Sequence, residues 1–293
     1  MSKIKIVTDS NSGLLQSEAP ELGITIVPMP FTVNGEEYFE DINLTQEQFY
    51  QMLENDADVA TAQPSPYSLQ ELWEEILKEY DEIVYIPMTS GLSGSCASAK
   101  QVAENFNGKV QVVDNLRISV TLKESIFEAL SMVKLGKTAT EIKEYLENTK
   151  SKSSIYIMLN SLKYLKKGGR VKPAAAALGS MLRVKPVLSS RGENFDKFAL
   201  ALSSGQGKKK MIQQIKHELE TEFKEEYENG AMTVSVAHTQ NFEEAEKFKQ
   251  EIISTFPKLT FRFVDQLSLS VSCHIGPGAL AIAIAVNNYL NKN

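Results

Sequence analysis

Residues 83–99, Ile-Val-Tyr-Ile-Pro-Met-Thr-Ser-Gly-Leu-Ser-Gly-Ser-Cys-Ala-Ser-Ala, restrict the possible folds more than any other stretch. An apolar run from Ile83 to Met88 predicts a buried strand. Thr89 to Ser95 then crowds hydroxyls and glycines into a turn, and small residues towards Phe106 predict a helix. Strand, polar turn and helix in that order aim backbone N–H groups and hydroxyls at one point, which suits a carboxylate or phosphate. The same alternation recurs from the start of the chain. Strands are expected at Lys3–Thr8, Ile24–Val33 and Lys109–Val113, and helices from Thr45 to about Asn55, over Leu69–Leu77 and from Ile118 to about Leu135. Strands separated by helices require crossover connections, so a largely parallel sheet with flanking helices follows. Ligands in such sheets bind at the carboxyl ends of the strands. The polar segments 8–12, 61–65 and 89–95 are the candidates for that edge.

The second half reads differently. Polarity rises at Lys150-Ser151-Lys152-Ser153, and a domain boundary is expected there, giving α/β domains over 1–150 and 151–293, the second with a mixed sheet and helices. Beyond it come strands at Ser154–Leu159, Lys185–Leu188, Phe195–Leu202, Met232–His238 and Leu259–Val264. A basic turn is expected at Lys163–Arg170 and a small-residue helix at Ala174–Leu182. Long helices are expected from Lys208 to about Tyr227 and over Phe242–Phe256. An apolar helix from Ala279 to Leu290 closes the chain.

Composition removes several function classes. At 293 residues the chain has room for two cores, and a net charge of −6 argues against nucleic acid as the main partner. No apolar run reaches the roughly 18 residues of a membrane span, and the first residues alternate like a strand rather than a signal peptide. Two distant cysteines give no disulfide framework and fit a reducing cytoplasm. Three scattered histidines and two cysteines do not supply a metal set, and no phosphate-loop spacing occurs, so neither metal nor cofactor is expected.

Four side chains stand out. Ser93 lies in an elbow-like context with His274 downstream and Asp196 and Asp265 between, which would allow a serine esterase. Position 95 is Ser, however, where a nucleophile elbow needs Gly. A cradle that only holds an anion uses Thr89, Ser90, Ser93 and Ser95 without strain, and a plain helix cap remains open. Thr61 sits in Thr61-Ala62-Gln63-Pro64-Ser65, where prolines fix the backbone; an ordinary loop would look the same. Arg170 follows Gly168-Gly169 and offers paired donors to an oxyanion, or is simply solvated. His274 precedes Gly276-Pro277-Gly278 and is the best placed histidine for hydrogen bonding or proton transfer. Basic stretches at 163–170 and 208–210 leave a plain protein-interaction module open as well.

Taken together, six segments resemble the DegV family of bacterial fatty-acid-binding proteins. They are Thr8-Asp9-Ser10, residues 61–65, Ser90-Gly91-Leu92-Ser93-Gly94-Ser95, Leu165-Lys166-Lys167-Gly168-Gly169-Arg170, Lys185-Pro186 and His274-Ile275-Gly276-Pro277-Gly278. The resemblance covers essentially the full chain and implies two α/β domains with a fatty acid bound between them. It implies that Thr61 and Ser93 hold the carboxylate, with His274 close to the head group and Arg170 near the pocket mouth. It further implies a cytoplasmic carrier and not an enzyme. Such a carrier presents a long-chain fatty acid to a separate kinase for acyl-phosphate formation and phospholipid synthesis, with at most transient membrane contact. The chain departs from the family pattern at Ala62, after Asp114-Asn115-Leu116-Arg117, and over 203–210. The last departure bears on kinase docking more than on lipid binding.

Overall fold

The computed structural model describes residues 2–176 and 184–290. The chain divides into two compact units. One runs to Ser151 and takes in Ser268–Ser270 and the end of the chain from Tyr289; the other holds Lys152–Leu267 and Val271–Asn288.

In the first unit, β1 (Ile4–Asp9), β2 (Thr25–Val27), β6 (Glu82–Ile86) and β7 (Val110–Val112) form an all-parallel sheet in the order β2-β1-β6-β7. Its core is built from Val7, Ile83, Tyr85, Val110 and Val112, met by Leu69 and Trp73 of helix Pro66–Ile76 and by Cys96, Ala99 and Val102 of helix Ser95–Ala103. Trp73 stacks edge-on with both Tyr85 and Phe106. Three short strands, β3 (Phe31–Val33), β4 (Glu36–Tyr38) and β5 (Val59–Thr61), make a separate antiparallel sheet ordered β4-β3-β5. The sequence suggested one strand over Ile24–Val33. Pro28 and Pro30 lack the N–H groups a ladder needs, so the run splits into β2 and β3 in different sheets. Thr61 likewise ends a strand, rather than lying wholly in a loop.

The second unit holds a six-stranded mixed sheet, β10-β9-β8-β13-β11-β12, comprising β8 (Ser153–Met158), β9 (Lys185–Ser190), β10 (Asp196–Ala201), β11 (Met232–His238), β12 (Thr260–Gln266) and β13 (Leu280–Val286). Only β11 and β12 run parallel. The α/β class with a parallel and a mixed sheet agrees with the reading of the sequence.

Local corrections concentrate in this unit. The apolar segment from Ala279 is a central strand, not a helix. Leu-Ala-Ile-Ala-Ile-Ala-Val alternates large and small side chains with period two, and all seven residues are buried. Leu280, Ile282, Ile284 and Val286 pack on Met211, Ile215 and Leu219 of helix Ser204–Glu220 and on Ala245, Phe248 and Ile252 of helix Phe242–Thr255. The expected long helix to Tyr227 is two helices, Ser204–Glu220 and Lys224–Glu228, because Phe223 turns into the core between them. Lys163–Gly168 is a helix, not a turn: Leu162 and Leu165 face inward, and Gly169 in the left-handed region ends it. Of the expected helix Ala174–Leu182, Pro173–Ala176 is helical and the remainder lies outside the described residues.

Candidate functional site

In the first unit the chain leaves β1 for β2 on one side and leaves the neighbouring β6 for β7 on the other. That is a topological switch point, and a crevice is expected beyond the carboxyl ends of these two strands. The turn at Ser10–Ser12 follows β1, and the Thr89–Ser95 turn follows β6. Asp9 joins them: its carboxylate accepts the Met88 N–H at 2.7 Å and the Asn11 N–H at 2.9 Å. The side chain is fully buried, and desolvation raises its pKa to about 7 against those two bonds. The β6 turn is further fixed by the Thr89 N–H donating to the Arg117 carbonyl at 2.9 Å. Arg117 is itself buried, with Nη1 donating to the Ser125 hydroxyl at 3.0 Å and pairing with Glu128 at 3.3 Å.

Ser93 and Thr61 are both half-buried. Ser93 Oγ accepts the Ser95 N–H at 3.2 Å, a local turn that points neither towards nor away from nucleophilic chemistry. Helix Ser95–Ala103 begins at Gly94 with no side-chain cap, and the buried Ser95 hydroxyl has no hydrogen-bond partner among the described residues. Gln63 ties the loop after Thr61 to this helix, its Nε2 donating to Ser98 Oγ at 2.9 Å. The first unit thus brings the 61–65 segment and the 89–95 turn together. What they offer is hydroxyls and an uncapped helix start, with a buried acid behind them.

In the second unit, Arg170 and His274 stand together. Arg170 donates from Nη1 to the Gly168 carbonyl at 2.5 Å and acts electrostatically on His274. His274 lies in the last turn of helix Leu269–Ile275 rather than in a loop before a helix. Burial first, and Arg170 second, push its pKa down to about 4, so the imidazole is neutral at ordinary pH. Its ring lies so close to Gly168 that a Cβ there would overlap Nδ1. Gly276 and Gly278 both have positive φ, of 74° and 78°, and carry the Tyr164 ring and the Asn160 amide against their α-carbons. Among the described residues no group of three or more His, Cys, Asp or Glu side chains could hold a metal ion. Cys96 is a core residue whose thiol burial pushes up to about 12.

A family profile described as "Uncharacterised protein, DegV family" matches residues 3–287. The chain belongs to the DegV family. A DegV domain-containing protein of Clostridium perfringens, CPE0026, is 30% identical, with 96% of this chain and 97% of that protein covered. Among solved structures, DegV of Bacillus subtilis, a fatty acid binding protein, is 26% identical with a TM-score of 0.82, covering 98% of this chain and 100% of that one. A stearic acid-binding protein of Eubacterium ventriosum is 25% identical with a TM-score of 0.86, covering 99% of each chain. No helix among the described residues of this DegV chain is long and apolar enough to cross a membrane.

Reading the sequence passed over Asp9 as a site organiser and Arg117 as its second support. The sequence did mark Asp9-Ser10-Asn11-Ser12 as a polar turn able to cap the segment after it, as Asp9 does; what it did not mark is the bond across to Met88. Nothing local marks Arg117, because its partner Glu128 lies on the following helix, Val120–Lys134.

Proposed function

We propose that this chain is a carrier: it binds a long-chain fatty acid and presents the carboxyl group to a separate fatty acid kinase in the cytoplasm, without catalysing a reaction itself. The observation that carries the reading is the end-to-end match to the Bacillus subtilis fatty acid binding protein. The polar turns at the first unit's switch point support it. In this reading Thr61 and Ser93 hold the carboxylate, while His274 and Arg170 contribute from the second unit. A dozen buried methylenes supply roughly 10 kcal/mol before the costs of association. The head group then needs only oriented donors, since a buried carboxylate without them would be severely penalised. The neutral imidazole of His274 can donate one hydrogen bond without adding charge, and Arg170 can add charge where the site opens.

Native mass spectrometry of the protein purified from a bacterial host is expected to show a co-purified fatty acid. A bare-chain mass after gentle handling would overturn the reading. The Thr61→Ala, Ser93→Ala double variant should keep its fold and lose fatty-acid affinity by about tenfold or more, two hydrogen bonds to a charged group being removed. For the kinase, ATP-dependent formation of acyl phosphate on the bound lipid, trapped with hydroxylamine, is expected with a purified fatty acid kinase. None is expected with this chain alone.

A further inference from the structure

Thr239 follows β11 directly and is completely buried. Its backbone prolongs the β11–β13 ladder: its N–H donates to the Ala279 carbonyl at 3.2 Å, and its carbonyl accepts the Gly278 N–H at 2.8 Å. The side chain adds something that the ladder does not require. Its hydroxyl donates to the Gly276 carbonyl at 2.7 Å and accepts the Ala279 N–H at 2.9 Å. One hydroxyl therefore grips both ends of the Gly276–Ala279 turn.

That turn leads straight back to the imidazole. The Gly276 N–H closes the helix by donating to the Ser272 carbonyl at 2.8 Å, and His274 lies between those two residues. The turn has little freedom of its own. Both glycines have positive φ, the Tyr164 ring sits on Gly276, and Asn160 sits on Gly278. Asn160 is held in turn by Lys185 Nζ at 2.6 Å, and Asn241 Nδ2 reaches the Gly278 carbonyl at 3.4 Å. These contacts press on the turn from outside; the Thr239 hydroxyl is the group that fastens it from within. At the far side of the turn, the His274 ring fills the space that a side chain at Gly168 would occupy.

We infer that Thr239 is a positioning residue for His274, fixing through the Gly276–Ala279 turn where the imidazole stands to meet a ligand's carboxyl group. The inference rests on the fatty-acid reading for its purpose, but the positioning itself can be tested without ligand. Thr239→Val keeps the shape and removes both hydrogen bonds; Thr239→Ser keeps both bonds. Imidazole NMR, with His274→Gln for assignment, reads the His274 titration in ligand-free protein, where Arg170 is the charged group acting on it. In the Thr239→Val protein the midpoint should rise from about 4 by one unit or more, as the ring leaves its buried position. Thr239→Ser should stay at the parent value. Affinity for carboxyl-labelled stearic acid should fall about tenfold in Thr239→Val and recover in Thr239→Ser.

A folded Thr239→Val protein with an unmoved His274 midpoint overturns the inference. A moved midpoint with unchanged stearic acid affinity upholds the positioning and removes His274 from the head-group contact. Should Thr239→Val not fold, Thr239→Cys, a weak donor and acceptor of similar size, is expected to give an intermediate midpoint. An unmoved one there is equally fatal.

Discussion

The two units stabilise their polar turns by opposite means. In the first, one buried carboxylate collects backbone N–H groups from two turns, and the side chains at the surface of the site remain adjustable. In the second, glycines accept side chains against bare α-carbons, and a neutral imidazole is wedged among them. The first arrangement depends on buried charge, Asp9 with Arg117 behind it, more than on close packing of shape. The second depends on shape and has no slack. The proposed function draws on both properties: hydroxyls to receive carboxylate oxygens, and a fixed donor to orient them.

The largest effect is expected at Asp9, the carboxylate that the first unit's two turns share. Asp9→Ala orphans the Met88 and Asn11 N–H groups in a fully buried position. Each orphan costs about 1–3 kcal/mol, so a loss of about 3–5 kcal/mol in urea unfolding is expected. A loss under about 1 kcal/mol would show that the turns hold themselves. In the second unit the matching experiment is Gly276→Ala. A side chain at φ 74° is strained, and its Cβ would drive into the Tyr164 ring, so about 3 kcal/mol should be lost. Tyr164→Ala combined with Gly276→Ala should recover part of that, leaving the strain of the positive φ.

The units should also respond to pH with opposite sign. Asp9 and Glu40 are raised to about 7 by burial, Glu40 despite accepting the Leu269 N–H and the Gln46 amide. The folded chain keeps these protons where the unfolded chain has released them. Their contribution is therefore full below about 4 and is lost as pH rises through about 7. His274, lowered to about 4, stays neutral where the unfolded imidazole is charged. Its contribution is present above about 6.5 and lost as pH falls through about 4. Each group bends the stability curve by at most about 1.4 kcal/mol per pH unit. Urea midpoints at pH 5 and 7.5 should fall with rising pH more gently in Asp9→Asn than in the parent, and more steeply in His274→Gln. Identical slopes in all three proteins would remove the contrast.

What could be read beforehand follows the same divide. The parallel sheet was legible because its short apolar strands alternate with segments of helical spacing, and several helix starts of the first unit carry caps, as Thr45, Ser65 and Thr138 do. Candidate residues in its turns were legible as hydroxyl clusters. Residues that act through long-range pairing were not: Arg117 and Thr239 are ordinary letters until the fold brings their partners. The segment 280–286 failed for a different reason. Its alanines favour a helix locally, and only pairing with β8 and β11 on both sides makes the alternation decisive. His274 inherited that error. It was read as standing at a tight turn before a helix, whereas it lies in the last turn of one.

The smallest expected effect is the sharpest check on the contrast. Gly94 resembles Gly276 in sequence, a glycine beside a candidate residue in a polar turn, but its backbone is ordinary, with φ −72° and ψ −7°. A Cβ there would come to 3.2 Å from Gln63 Oε1, the far end of a flexible side chain that can move aside. Gly94→Ala loses some unfolded-chain entropy, which favours folding, and spends a similar amount displacing Gln63 from Ser98. The net change should stay within about 0.5 kcal/mol, a thermal midpoint shift of no more than about 2 °C. A loss comparable to that of Gly276→Ala would mean that the first unit's turn is as tightly packed as the second's, and that its hydroxyls are not free to adapt to a ligand.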